Sequence, residues 1–360
     1  MKKNNYLVLI PAYNPSNKLL VLIKDLKKEN LDILIVNDGS CENIDIFKKI
    51  KKEYNIKILE YEENKGKGHA LKYGMQYYIN NYKDYKGIVT VDADYQHVPK
   101  DVLKVMNEMD NNPNTIVLGC RNFNSKNVPF LNRMGNKITS LVFKVLYGKY
   151  ISDTQTGLRG IPNSLMEKCL YIEGNRFEYE IGELIYLVNN HIKMTEVSIK
   201  TVYYESRESK FHKVSDSIRI YKLILKESFR FMLTSLVSSF LDIILFTILI
   251  ALLSKFGDIS IIISTFCARI IADLLNFYLT KNFVFYSVTE TKKIILSYYI
   301  LSFTKMALSA IFVLLISKYI FISKTFIKMV VDILIYFLSY NIQKKYIFKT
   351  ENNLKTYEKW

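Results

Sequence analysis

Three polar clusters stand directly after apolar runs and carry residue types able to handle a charged substrate. The sharpest is Asp92-Ala93-Asp94. Two carboxylates one residue apart at a strand exit can hold a divalent cation, and Mg2+ or Mn2+ takes oxygen ligands while bridging to substrate phosphates. A solvated acidic turn is the competing reading. Asn64-Lys65-Gly66-Lys67-Gly68 opens a helical stretch. Glycines admit close backbone approach, a helix N-terminus favours anions, and Lys65 and Lys67 add charge. An ordinary loop explains the same residues. Asp38, within Asn37-Asp38-Gly39-Ser40, can accept hydrogen bonds from a base or ribose, but Asp-Gly is also turn chemistry.

The elements that must position these groups are legible from apolar runs. Residues 6–10 form one, stopped by Pro11, and further strand candidates cover 32–36, 56–61, 87–91 and 115–119. Helical patterns fill 17–30 and 68–80. Continuous apolar strands alternating with helices predict a mostly parallel sheet covered on both faces, a Rossmann-like α/β domain. Ligands of such sheets bind at the carboxyl ends of the strands, where the three clusters fall.

Composition divides the chain. Up to about Lys226 it reads as a soluble domain; from Phe231 the apolar runs are too long for a soluble core. Lys and Arg outnumber Asp and Glu by 50 to 34, which predicts an anionic partner. Beside a membrane, that partner is lipid, lipid phosphate or nucleotide rather than nucleic acid. Cys41, Cys120, Cys169 and Cys267 fall in no zinc or redox motif and read as reduced. The first apolar run is too short for a secretory leader, so the first domain is expected in the cytosol.

Taken in order, Ile10-Pro11-Ala12-Tyr13-Asn14, Asn37-Asp38-Gly39-Ser40, Asn64 to Ala70 and Asp92-Ala93-Asp94-Tyr95-Gln96-His97 resemble the family 2 glycosyltransferases of GT-A fold. Within that family the chain looks most like the dolichyl- or polyprenyl-phosphate hexose transferases. Later segments carry the likeness on: Gly119-Cys120-Arg121, Arg133 with Gly135-Asn136, Asp153-Thr154-Gln155-Thr156-Gly157, Arg176-Phe177-Glu178-Tyr179-Glu180 and Ser209-Lys210. The resemblance covers about residues 6 to 225. It implies that Pro11, Tyr13 and Asp38 line the base and ribose pocket, with Lys67 near the donor. It implies that Asp92 and Asp94 hold Mg2+ or Mn2+ on the diphosphate, with Gln96 beside them. Arg121, Arg133 and Lys210 are then the grip on an acceptor phosphate, and Asp153 and Gln155 face the sugar or reacting centre. Pro15 departs from the family's usual glutamate, and Tyr95 from its usual aliphatic residue. The implied reaction is inverting transfer of a hexose from a nucleotide sugar, a UDP-hexose such as UDP-glucose, to polyprenyl phosphate. High Lys, Asn and Ile usage favours a bacterial carrier, undecaprenyl phosphate.

The rest of the chain predicts a second, all-α domain. The expected division is 1–206 catalytic, 207–230 a basic juxtamembrane segment, 231–348 transmembrane and 349–360 a tail. Spans of about 231–254, 259–279, 294–317 and 326–342 each approach the length that crosses a bilayer. Seven basic residues between Arg207 and Arg230, and five lysines after the last span, predict a multi-pass cell-membrane protein with the catalytic domain and both termini cytoplasmic. A shift of 63 positions lays the first pair of spans on the second: Ser239-Phe240 on Ser302-Phe303, and Lys281 and Phe285 on Lys344 and Phe348. This predicts a parallel two-helix repeat. The same shift aligns Asp242 with Lys305 and Arg269 with Asp332, so these four are expected to form one intramembrane polar centre, either a contact or path for a lipid phosphate or a set of structural ion pairs, with Asp273, one turn after Arg269, as the alternative partner of that arginine. Asn276 to Phe285 resembles the signature of the GtrA-like membrane family, with Lys281 and Phe283 where that family has Arg and Trp. The likeness implies an anchor or a role in translocating the lipid-linked product. A homo-oligomer is compatible with this reading. A processive synthase fits poorly, because such enzymes carry Gln-x-x-Arg-Trp and the one tryptophan here is Trp360. A transport or sensing protein with an inactive transferase half is the alternative outside enzymes.

Overall fold

The computed structural model describes residues 5–124, 128–200, 213–287, 289–319 and 323–348, which fall into two compact units divided between Ile224 and Leu225.

In the first unit, strands β1 (Tyr6–Ala12), β2 (Asp32–Asp38), β3 (Lys57–Tyr61), β4 (Gly87–Thr90), β5 (Ile116–Arg121), β6 (Arg159–Pro162) and β7 (Met194–Ile199) form one sheet. Helices α1 (Lys18–Lys28), α2 (Ile44–Tyr54), α3 (Lys67–Asn81), α4 (Pro99–Asn111), α5 (Phe130–Tyr147), α6 (Asn163–Leu170) and α7 (Glu178–Asn189) connect the strands. The order is β3-β2-β1-β4-β6-β5-β7, and every strand pair is parallel except those made by β6. This is the mostly parallel α/β GT-A domain expected. Every residue of β1 is buried, as a strand covered on both faces requires. In α1, Leu19, Leu22, Ile23 and Leu26 are buried at helical spacing beneath a polar outer face.

Two expectations need correction. The first strand does not stop at Pro11 but runs to Ala12. Leu9 accepts a hydrogen bond from the Val91 N–H, so Pro11, two residues on, faces the same side, where β4 has ended at Thr90. Its missing N–H therefore leaves no ladder bond unmade. Strands β6 and β7 were not legible as strands in the sequence; β6 has four residues and inserts antiparallel between β4 and β5.

The remaining elements are α8 (Lys213–Leu252), α9 (Ile259–Leu279), α10 (Thr291–Tyr319) and α11 (Lys324–Ile342). Four helical segments, Val214–Leu252, Ile259–Val284, Thr291–Tyr319 and Phe326–Ile347, are long and apolar enough to cross a membrane. From Lys213 on, the basic stretch lies on the single helix α8. The repeat is visible in the geometry. Thr280–Val284 and Gln343–Ile347 are both π-helical, and they are related by the 63-residue shift. Phe285 stacks on its equivalent, Phe348, with ring centroids 5.5 Å apart. Phe277 meets Phe348 at 5.5 Å, while Tyr340, the equivalent of Phe277, meets Phe285 at 5.8 Å. Reciprocal contacts of this kind place a pseudo-two-fold axis at the Phe285–Phe348 stack.

Candidate active site

Strand direction assembles the site. The carboxyl ends of β1, β2, β4 and β5 share one edge of the sheet. Because β6 runs the other way, the segment that leads into it, 153–158, arrives at that same edge. Thr90 Oγ1 donates to the Gly157 carbonyl at 2.7 Å, and Thr156 Oγ1 donates to the Gly119 carbonyl at 2.5 Å, tying this segment to β4 and β5.

Asp92 follows β4 and is held on both oxygens. Lys67 Nζ lies 2.5 Å from Oδ1, and His97 Nε2 lies 3.2 Å from Oδ2. Lys67, the first residue of α3, also reaches Glu180 of α7 at 2.7 Å, and its ammonium lies 5.8 Å from the centre of the Phe177 ring. Burial alone would raise the Asp92 carboxyl, but Lys67 and His97 outweigh it and hold it well below the usual range. Burial likewise opposes the Lys67 charge, and Asp92 and Glu180 more than restore it. Behind them Arg159, 2% exposed, pairs with Glu183 at 3.3 Å and donates to the Glu180 carbonyl at 2.9 Å.

Asp94 differs from Asp92. Its Oδ1 accepts the Gln96 N–H at 3.1 Å, and the residue is exposed. Enclosure by the surrounding protein raises its pKa, and the Asp92 charge raises it further. The two carboxylates are therefore not the equivalent pair expected: Asp92 is anchored to a lysine and a histidine, and Asp94 is the open one. The turn is held by Tyr95, which adopts φ +61° and donates its hydroxyl to Asp25 of α1 at 2.6 Å. The residue that departs from the family pattern is thus fixed by a tertiary hydrogen bond.

In this connected cluster Asp92, Asp94, Glu180 and Glu183 meet Lys67, Arg159 and His97, so that among the described residues the carboxylates outnumber the Lys and Arg cations by two. A divalent cation matches that excess, and the hard oxygens of Asp92, Asp94 and Gln96 suit Mg2+ or Mn2+. Among the described residues no three His, Cys, Asp or Glu side chains converge on one metal position. Two carboxylates completed by substrate phosphates could hold such a cation.

Asp38, expected at the base and ribose, ends β2 and is held by the loop after β3. It is 3% exposed, and its carboxylate accepts from Tyr61 Oη at 2.7 Å, Asn64 Nδ2 at 2.9 Å and the Lys65 and Gly66 N–H groups at 2.9 to 3.1 Å. It shapes the 64–66 loop from beneath rather than offering a free carboxylate to a base. Gly66, at φ +100°, can turn its N–H onto both oxygens. Asn14 splices the neighbouring loops, accepting the Cys41 and Glu42 N–H groups at 3.0 and 3.1 Å. Pro11 is buried and Tyr13 half-buried beside these loops.

Asp153 is the residue expected at the sugar or reacting centre. It is wholly buried, receives Arg121 Nε at 2.7 Å and Nη2 at 3.0 Å, and accepts the Gln155 N–H at 3.2 Å. This bidentate pair orients Arg121 at the end of β5, so Asp153 positions a cation. Gln155 is exposed at the same edge. Arg133 lies on α5, whose Asn136 is tied to the Asp153 segment by donating to the Ser152 carbonyl at 2.6 Å. Lys210 lies outside the described residues. Sequence reasoning gave no role to His97, Arg159, Glu180, Glu183 or Gly157. A Cβ on Gly157 would fall against both carboxylate oxygens of Asp92.

The four intramembrane charges do not form one centre. Asp242 pairs with Arg269 at 3.1 Å, within one helix pair of the repeat. Asp332 pairs instead with Lys328, one turn away, at 2.8 Å and accepts Ser309 Oγ at 2.5 Å. Lys305 has no carboxylate within ion-pair distance among the described residues, and lies in electrostatic reach of Asp273, which accepts Ser302 Oγ at 3.3 Å.

Residues 7–170 match the family model described as glycosyl transferase family 2. Among curated relatives, a UDP-N-acetylglucosamine–dolichyl-phosphate N-acetylglucosaminyltransferase of Methanococcus voltae is 34% identical over 151 residues, 41% of this chain and 59% of that protein. The chain thus spans less than two thirds of that relative. An uncharacterized protein of Methanocaldococcus jannaschii is 32% identical over 186 residues, 50% of this chain and 75% of that protein. Among solved structures, glucosyl-3-phosphoglycerate synthase from Mycobacterium tuberculosis, in complex with Mn2+, UDP-glucose and phosphoglyceric acid, aligns with a TM-score of 0.47 at 13% identity, over 61% of this chain and 78% of that one. The motifs in their order, the sheet that gathers their ends and the matched segment converge: the chain belongs to glycosyltransferase family 2.

Proposed function

We propose that the protein transfers a hexose, with inversion, from a nucleotide sugar to the phosphate of a polyprenyl carrier. UDP-glucose and UDP-N-acetylglucosamine are the first donors to try, and undecaprenyl phosphate the first acceptor. The observation that carries this reading is the pairing of opposite charges along one sheet edge. Around Asp92 and Asp94 the carboxylates outnumber the cations, Lys67 included, and Arg121 stands in a fixed orientation at the end of β5 on the same sheet edge.

A lipid phosphate is already anionic, so the protein's task is to hold two anions together rather than to create a nucleophile. Asp92, Asp94 and Gln96 would hold the divalent cation, which supplies charge neutralisation at the donor diphosphate. Lys67, braced by Asp92 and Glu180, presents its ammonium to the same diphosphate. Arg121, aimed by Asp153, takes the acceptor phosphate through paired N–H groups, with Arg133 and Lys210 as further cations. The dolichyl-phosphate acceptor named for the Methanococcus relative supports a lipid phosphate here. The apolar helices anchor the enzyme beside that acceptor, and the basic residues from Arg207 to Arg230 support a cytoplasmic catalytic unit.

The test is incubation of the purified full chain with Mg2+ or Mn2+, undecaprenyl phosphate and a panel of UDP- and GDP-sugars, followed by detection of lipid-linked product. Product from one donor, absent with Asp94→Ala, is the expected result. Donor turnover without lipid-linked product would move the acceptor assignment to another phosphate.

A further inference from the structure

Lys67 stands on Asp92 where a metal cation would have to stand. Its Nζ lies 2.5 Å from Asp92 Oδ1 and 2.7 Å from Glu180 Oε1, so one ammonium bridges two carboxylates. His97 Nε2 takes the other oxygen of Asp92 at 3.2 Å. Both oxygens of Asp92 are therefore engaged, while Asp94 is exposed. A carboxylate oxygen keeps a second lone pair, but a divalent ion bound to Oδ1 would lie within about 5 Å of the ammonium. The side chains of Lys67 and Asp92 are only 15% and 29% exposed, so solvent screens that repulsion poorly. Asp92 can hold the ion well only when Lys67 has moved off it.

Lys67 is built to move. A lysine ammonium is a compact charge on a flexible four-carbon stem. Lys67 is also the first residue of α3, and a helix N-terminus favours an anion. A diphosphate arriving there offers the ammonium a new partner, and the Phe177 ring, 5.8 Å from Nζ, adds an attractive face beside it. We propose that Lys67 is a tethered cation that competes with the divalent ion for Asp92, and that the donor diphosphate ends the competition by drawing the ammonium away. This rests on the reading of Asp92 and Lys67 as cation and diphosphate groups given above. Ion and nucleotide then bind cooperatively, and the nucleotide-free protein neutralises its own acidic cluster and takes up little divalent ion.

The test is Mn2+ binding to the full chain in detergent, followed by the electron paramagnetic resonance of free Mn2+, with and without UDP. It needs neither acceptor nor turnover. Lys67→Met removes the charge and keeps an unbranched side chain. Without UDP it is expected to bind Mn2+ about ten- to a hundred-fold more tightly than the parent, the worth of one charge-assisted contact. UDP should then strengthen Mn2+ binding by a smaller factor than in the parent. Lys67→Gln, also neutral, should show the same gain, and it replaces the methionine variant if that one does not fold. Unchanged or weaker Mn2+ binding in the folded neutral variant overturns the proposal, because that is what a lysine serving only to brace Asp92 would give. Adding Asp92→Asn should abolish the gain. A gain that survives Asp92→Asn places the ion elsewhere and overturns the reading of Asp92 as well.

Discussion

Gly157→Ala is the substitution in which the structure speaks most directly to the chemistry. Its φ is an ordinary one for an L-residue, so the backbone accepts alanine. The added methyl has no such freedom, because the atoms it meets are the two carboxylate oxygens and Cγ of Asp92. Restoring ordinary van der Waals contact requires Asp92 to retreat by about 1 Å. That movement breaks the 2.5 Å contact with Lys67 or the 3.2 Å contact with His97, and it displaces one of the two carboxylates proposed for the cation. Loss of one charge-assisted hydrogen bond is worth about 1.5–3 kcal/mol. If that energy is expressed at the metal–diphosphate step, turnover falls roughly 10- to 100-fold. Mn2+ affinity, followed by the electron paramagnetic resonance of free Mn2+, should fall in parallel, while melting in detergent shifts little by comparison. A variant with parental Mn2+ affinity and parental turnover would refute the placing of Asp92 in the cation site.

Other outcomes follow from the same contacts. Asp153→Asn keeps the side-chain volume but removes the charge that aims Arg121, so the KM for polyprenyl phosphate should rise about tenfold or more, with a much smaller change in donor KM. Initial-rate kinetics against each substrate decide it. His69 is half-buried, and burial, then the Lys65 charge, lowers its pKa. The unfolded chain therefore binds the proton more readily, and the folded state loses stability as pH falls below about 6.5. His69→Gln should flatten the melting temperature over that window; an unchanged pH profile would exclude the histidine as its source. Reversing either Asp242 or Arg269 leaves two like charges within the apolar helices and should lower yield and melting temperature, whereas the double exchange Asp242→Arg with Arg269→Asp should recover much of the loss. No recovery in the double variant would mean that the 3.1 Å pair is not the stabilising contact.

What the sequence alone determined is local or periodic. Continuous apolar runs bounded by Pro11, Asp38 and Asp92 identified parallel strands and their carboxyl ends, because a strand covered on both faces leaves no polar alternation. The 63-residue shift identified the duplication, and the paired π-helical segments and the Phe285–Phe348 stack are its consequence. Tertiary structure decided which of the candidate charges stand free. Asp38 and Asp153 looked like ligand-facing carboxylates, but their oxygens are filled by Gly66 and Arg121 from segments 28 and 32 residues distant. Those partners depend on strand order, and on the four-residue β6 inserting antiparallel between β4 and β5, which no local pattern encodes. The same insertion brings Gly157 against Asp92, while Asp94 is the more exposed of the two aspartates.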